Sequence, residues 1–365
     1  MKFLSLPTLI QREIFLNFSI PKLLILSFCS KRLKYLIQSI QKYRLKKIHT
    51  INYSFGLKDT FFVLGYGYST SILTMQLTFK PLSEKLIIPM ENLNFLAQKC
   101  SSYFSLNKSS KWCQETMYFY DKNQKEVIAQ GIHYYLYRLF GPSVNYQVVS
   151  DFYELPPRLE NINRSDVILK YLKEEKHELE AYFNATQNQE YVHLKGDLSS
   201  RLIPNSVVYG TKQMKINCCG SYGDEVLFRF RGESLFLKDT MFRNSTIITF
   251  LNEWKSNRGF KNIKYLSIVC CDQKYLDTAV IEKNVEIKQL SQSEKMLVLT
   301  WKERTMVCMS QDDLSVDRSI MSRSYLIRDF DGEGASIEIY PTHFVFAVWS
   351  ATENPHATEH LKTSG

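Results

Sequence analysis

Residues 7–43 carry three short apolar stripes at helical spacing, and their brevity limits what this end of the chain can do alone. Pro7 sits where a helix begins, and Ile10, Ile14 and Phe18 follow at four-residue intervals, one face of a helix. Ser19-Ile20-Pro21 interrupts that run. Pro21, tolerated in a first turn, opens a second with Leu23, Leu24 and Leu26. Ser30 is a good N-cap for a third, in which Leu33, Leu36, Ile37, Ile40 and Tyr43 line one side. Helices this short cannot cover their stripes by packing only on one another. They need a further surface, which points to docking.

The same segment holds the charge. Residues 1–50 contain Lys2, Arg12, Lys22, Lys31, Arg32, Lys34, Lys42, Arg44, Lys46 and Lys47 against Glu13, a balance of +9, which is that of the whole chain. The other 315 residues hold 36 basic and 36 acidic side chains, so the large remainder is neutral. A local basic excess fits an acidic partner: a protein, a nucleic acid or a membrane surface. Tyr35 and Tyr43 are the aromatics of the third run suited to stacking on bases, so nucleic acid is the weakest of these, and neither nucleic acid nor membrane is expected.

A chain that is 44% hydrophobic and 13% aromatic can bury enough apolar surface to fold. No window approaches the 18 or so uninterrupted apolar residues of a membrane span. After Lys2 the apolar run Phe3–Ile10 is cut by Gln11-Arg12-Glu13 with no small-residue cleavage site, so a secretory leader is not expected. The eight cysteines lack C-x-x-C spacing, and the adjacent pairs Cys218-Cys219 and Cys270-Cys271 would point to opposite faces of a strand. Reduced, buried thiols in a cytoplasmic or nuclear protein are expected.

Leu6-Pro7, then Ile10, Ile14 and Phe18, then Pro21 and Leu23, then Leu26-Ser27-Phe28-Cys29-Ser30-Lys31-Arg32-Leu33-Lys34, resembles an F-box, closest to the form in nematode F-box families. Leu9 and Lys22 stand where that pattern commonly has acidic residues, and Leu33 where it has an aromatic. The resemblance implies a three-helix module at residues 3–48 that binds a Skp-type adaptor and, through it, a cullin. It implies that Leu6, Pro7, Ile10, Ile14, Leu23, Leu24 and Leu26 divide between a small core and the adaptor interface, with Arg32 and Lys34 steering toward an acidic adaptor.

Beyond residue 50 strand-like and helical stretches alternate. Phe61–Leu64 and Leu77–Phe79 read as strands, Leu93–Cys100 and Ile132–Phe140 as helices, the latter stopped by Gly141-Pro142. Ser165 reads as the cap of a helix over Asp166–Phe183. From residue 190 short strands recur at Tyr191–Leu194, Met214–Cys218, Ser234–Leu237 and Ile263–Ile268. Ile247, Phe250, Leu251 and Trp254 mark a helix between the last two, ended by Asn257 and Gly259. Strand plus helix at this period is leucine-rich-repeat-like. The interval is also similar to the type-2 F-box-associated domain, as is the ending Arg328-Asp329-Phe330-Asp331-Gly332, Ala335-Ser336-Ile337 and Phe344–Trp349. Asp331-Gly332 signals a hairpin. The expected fold is α/β: a three-helix module at 1–49, an α/β part at 50–189, irregular strand–helix units at 190–350 and a disordered tail at 351–365.

No phosphate loop, dinucleotide fingerprint, H-E-x-x-H or G-x-S-x-G is present. Cys113 beside Trp112 reads as packing, His177 as a solvated residue, and Trp254 and Trp349 as core. Catalytic residues, metal and cofactors are therefore not expected. On the strands, Leu235, Leu237, Leu266 and Ile268 read as inward, with Phe236 and Tyr265 exposed to bind a target. The F-box resemblance implies the substrate-recruiting subunit of a Skp-cullin-F-box ubiquitin ligase. The alternatives are a basic nucleic-acid- or membrane-surface-binding protein, or an F-box-like protein that has lost adaptor binding.

Overall fold

The computed structural model describes residues 5–56, 59–66, 70–79, 86–90, 93–99, 117–120, 125–150, 155–169, 176–186, 189–196, 198, 202–271, 276–291, 297–302 and 317–349. Two compact units emerge: residues 1–167 with 185–187, and residues 168–184 with 188–365.

The first unit opens with helices α1 (Thr8–Leu16), α2 (Ile20–Cys29), α3 (Lys31–Ile40) and the single turn α4 (Lys42–Leu45). Pro7 is the N-cap of α1, Pro21 lies in the first turn of α2, and Ser30 precedes α3, as the local chemistry dictates. Strands β1 (Ile48–Phe55), β2 (Asp59–Tyr66), β3 (Thr70–Phe79), β4 (Leu86–Met90), β5 (Leu93–Lys99) and β6 (Met117–Tyr120) follow, then α5 (Lys125–Phe140), β7 (Asn145–Ser150) and β8 (Arg164–Ile168). They order as β8-β7-β1-β2-β3-β6-β5-β4. At the centre β1 runs parallel to β7, with Ile51 opposite Tyr146, and antiparallel to β2, with Ile51 opposite Leu64.

The surface that the short helices need is supplied by their own chain. Phe15, Ile20, Leu23, Leu24, Phe28 and Ile37 share one core with Ile51 and Tyr53 of β1, Ile132, Tyr135 and Leu136 of α5, and Tyr146 and Val148 of β7. Phe28 packs on Tyr135 with ring centroids 4.6 Å apart, and the Tyr135 hydroxyl donates to the Ser27 carbonyl at 2.7 Å.

Two helical readings become strands. Residues 93–99 form β5 because Ile88 of β4 pairs with Phe95 and Gln98 pairs with Phe119 of β6. Ser165 and Asp166 lie inside β8, where Val148 and Val149 of β7 pair with them. Pairing with a neighbouring strand outweighs the N-cap preference of Ser165. The expected helix is reduced to α6 (Lys176–Ala185), on which His177 is exposed. Helix α5 ends as expected: Gly141 adopts φ +82° and its N–H donates to the Tyr137 carbonyl at 2.8 Å.

The core of this unit holds one buried imidazole. His133 Nε2 lies 2.6 Å from the Glu160 carbonyl, which can only accept, so Nε2 carries the hydrogen and Nδ1 accepts from the Tyr53 hydroxyl at 2.9 Å. Burial holds its pKa down at about 4. A depressed histidine contributes stability that is full above its unfolded pKa near 6.5 and is lost as pH falls toward 4, about 3 kcal/mol in all. Thermal denaturation between pH 7.5 and 4 should therefore show a falling melting temperature that His133→Gln flattens. Equal slopes in the two proteins would refute this.

The second unit contains α6, β9 (Tyr191–Lys195), β10 (Gln213–Gly220), α7 (Gly223–Arg229), β11 (Ser234–Thr240), α8 (Asn244–Lys255), β12 (Tyr265–Cys270), α9 (Thr278–Asn284), β13 (Lys288–Gln289), β14 (Leu297–Lys302), β15 (Asp317–Ser322), β16 (Ser324–Ile327), β17 (Gly334–Tyr340) and β18 (His343–Val348). The order is β9-β10-β11-β12-β18-β17-β16-β13, with β14 and β15 as a separate pair. Strands β9 to β12 are parallel neighbours in chain order, and β18 closes on β12 antiparallel, Leu266 opposite Phe346. Leu235, Leu237, Leu266 and Ile268 are buried, as are Ile247, Phe250, Leu251 and Trp254 of α8. Trp254 and Phe250 meet Phe346 edge-on at 5.0 and 5.1 Å. Asn257, with φ +54°, stops α8.

Phe236 and Tyr265 are buried, not exposed. Strand alternation does send them to the face opposite Leu235 and Leu266, but Trp349, Ile320 and Ala347 cover that face, with Tyr325 packed alongside. The Trp349 indole lies so close to Gly334 that a Cβ there would run into it, and its Nε1 donates to Ser336 Oγ at 2.9 Å. Lys238, two residues beyond Phe236 on the same face of β11, is exposed. The hairpin at Asp331-Gly332 connects β16 to β17, with Arg328 donating to Asp331 at 2.9 and 2.6 Å.

Candidate functional site

The N-terminal helices are the segment that sequence, charge and shape all single out. Arg44 fixes their arrangement. Its guanidinium donates to the Phe15 carbonyl at 3.0 Å and to the Phe18 carbonyl at 2.8 Å, capping the end of α1 from α4. Gln11, buried on α1, donates to the Leu6 carbonyl at 2.8 Å and so holds the Leu6-Pro7 entry against the helix. These contacts orient α1 with Phe15 inward and leave its other side in solvent.

The apolar residues therefore sort into two sets. Leu23 and Leu24 are core, and Leu6, Ile14 and Leu26 are half-buried. Pro7 is exposed, and Ile10 is 46% exposed. Leu9, at 74%, and Leu16, at 46%, join Ile10 on the open side of α1. The four-residue spacing of Ile10, Ile14 and Phe18 marked one face of a helix without deciding which way it turns. The helix is turned so that Gln11 and Phe15 face inward. Leu9 and Leu16 were missed because neither belongs to that spacing, although the run Leu9-Ile10 with Leu16 two turns on was a readable signal.

The basic residues sort as well. Lys34 was expected to steer a partner, but it is buried with Nζ 4.5 Å above the Tyr135 ring, so its charge is held inside. Arg32 is exposed. Lys31, Lys42, Lys46 and Lys47 are also exposed, and among the described residues no carboxylate pairs with them.

Among the described residues no group of three or more His, Cys, Asp or Glu side chains could hold a metal ion, and no helix is long and apolar enough to cross a membrane. Cys113 and the tail beyond Ser350 lie outside the described residues. Cys219 and Cys270 are buried and form no disulfide.

No curated protein and no solved structure matches the chain. One family model does, over the helices just described. Residues 3–45 are an F-box domain, the usual binding site of Skp-type adaptors, in proteins that are generally non-catalytic substrate adaptors.

Proposed function

We propose that this chain is the substrate-recruiting subunit of a Skp-cullin-F-box ubiquitin ligase. The observation that carries the reading is the F-box match over residues 3–45 together with the open apolar side of α1, Leu9, Ile10 and Leu16. Residues 1–49 are the docking segment, and residues 50–350 hold the target. The adaptor contacts Pro7 and Ile10, flanked by Leu6, Ile14 and Leu26, with Leu23 and Leu24 supporting them from the core and Arg32 steering toward acidic residues. Catalysis is by proximity, which raises the effective concentration of target lysines near the conjugating enzyme. No residue here makes or breaks a bond. The parallel succession β9 to β12 supports reading residues 190–350 as irregular leucine-rich-repeat-like units of a type-2 F-box-associated domain. The protein acts in the cytoplasm or nucleus.

The test is a pull-down of purified Skp-type adaptor by the full chain. Leu9→Asp with Ile10→Asp should cut recovery by at least tenfold, because a carboxylate pressed into an apolar contact costs several kcal/mol. Both positions are exposed, so the circular dichroism spectrum should not change. Wild-type recovery by the double variant would sink the docking assignment.

A further inference from the structure

The adaptor reading uses only Arg32 of the strongest charge feature of the chain. Along α3, α4 and the two residues after α4 the exposed positions are 31, 32, 35, 39, 42, 43, 46 and 47, which recur at three- and four-residue intervals as a basic and aromatic series. It reads Lys31 and Arg32, Tyr35, Ser39, Lys42 and Tyr43, Lys46 and Lys47. Tyr35 is 58% and Tyr43 74% exposed. Lys47 Nζ sits 4.7 Å over one face of the Tyr43 ring. From Ile14 to Lys58 the chain has no Asp or Glu, so nothing along this segment neutralises the stripe. The two remaining bases of the helices, Lys34 and Arg44, are engaged inside the fold.

We propose that this stripe is a binding site for single-stranded nucleic acid, with the five cations tracking phosphates and the two tyrosines stacking on bases. Cations interleaved with exposed rings are what a flexible polyanion with planar bases requires. An anionic membrane is the poorer occupant, because the stripe presents no Leu, Ile, Phe or Trp to enter the acyl boundary. From sequence alone two tyrosines seemed too few for bases. Their exposure, interleaved along residues 31–47 with all five exposed cations, reverses that judgement. The stripe lies on α3, α4 and the two residues after α4, not on α1, and shares only Arg32 with the adaptor reading, so the test is built on Lys42, Lys46, Lys47, Tyr35 and Tyr43, none of which is assigned to the adaptor.

The experiment is fluorescence anisotropy of the full chain with a labelled 15-nucleotide oligouridylate at several salt concentrations. The logarithm of affinity should fall with the logarithm of salt at a slope of about −3.5, from five phosphate contacts at roughly 0.7 each on a single strand. Changing Lys42, Lys46 and Lys47 to Gln should reduce that slope by about 2. Tyr35→Ala and Tyr43→Ala should each weaken binding about tenfold and leave the slope unchanged. All five are surface changes, so melting temperatures should hold. Leu9→Asp with Ile10→Asp should leave RNA affinity intact. The proposal is overturned by no binding, by affinity indifferent to both tyrosines, or by heparin competing as well against the double tyrosine variant as against wild type. Preference for vesicles with 30% phosphatidylserine over the oligonucleotide would also overturn it, in favour of a lipid surface.

Discussion

Removing residues 1–47 should collapse the first unit, with loss of hydrogen-exchange protection in β1, α5 and β7. Phe15, Ile20, Leu23, Leu24, Phe28 and Ile37 are buried in the same core as Ile51, Tyr135 and Tyr146. Six such side chains at roughly 1.5–3 kcal/mol each amount to about 10 kcal/mol, comparable to the whole stability of a typical domain. Their loss also opens the Tyr135 and Tyr146 side of the core to water. Hydrogen exchange read by mass spectrometry resolves the two units. Amides of β9 to β12 should stay protected while those of α5 exchange quickly. Protection of α5 at the full-length level would show that the helices only decorate the sheet.

The second large effect lies in the other unit. Phe236→Ser and Tyr265→Ser should each cost about 3–5 kcal/mol, because each leaves a ring-sized void beneath Trp349. For a unit of this size that corresponds to a fall of about 10 °C in calorimetry. Phe236→Leu, which keeps most of the volume, should cost under about 1.5 kcal/mol. An unchanged melting temperature in the serine variants would mean that the aromatic pair is open to solvent and available to a partner.

These two results also mark where the sequence could be read and where it could not. Helix α8 was legible because Ile247, Phe250, Leu251 and Trp254 repeat a period that a single element sets for itself. The spacing of β9 to β12 was legible for the same reason, as were the Gly141 stop and the Asp331-Gly332 turn. The misses all turn on something distant in the chain. Strand alternation placed Phe236 and Tyr265 on the correct face, yet only Ile320 and Trp349, some 50–115 residues later, decide that the face is covered. Whether residues 93–99 become strand depends on β4 and β6 as neighbours. The rotation of α1 that exposes Leu9 and buries Phe15 is imposed by Arg44 and by the floor that β1 and α5 supply. Lys34 looked like a surface charge because its cover, Tyr135, is 101 residues away. The F-box itself was visible because its pattern is local, and the open side of α1 was hidden because orientation is not.

The pairing of β1 with β7 has a consequence for how the chain comes off the ribosome. Ile51 meets Tyr146, and Phe28 waits for Tyr135, so the apolar sides of α1, α2 and α3 have no lid until roughly a hundred further residues are made. At 5–20 residues per second that interval lasts about 5–20 s. Throughout it the nascent helices present Leu23, Leu24 and Phe28 to whatever is near. A chain built this way carries uncovered apolar helix faces through the seconds before its own sheet closes.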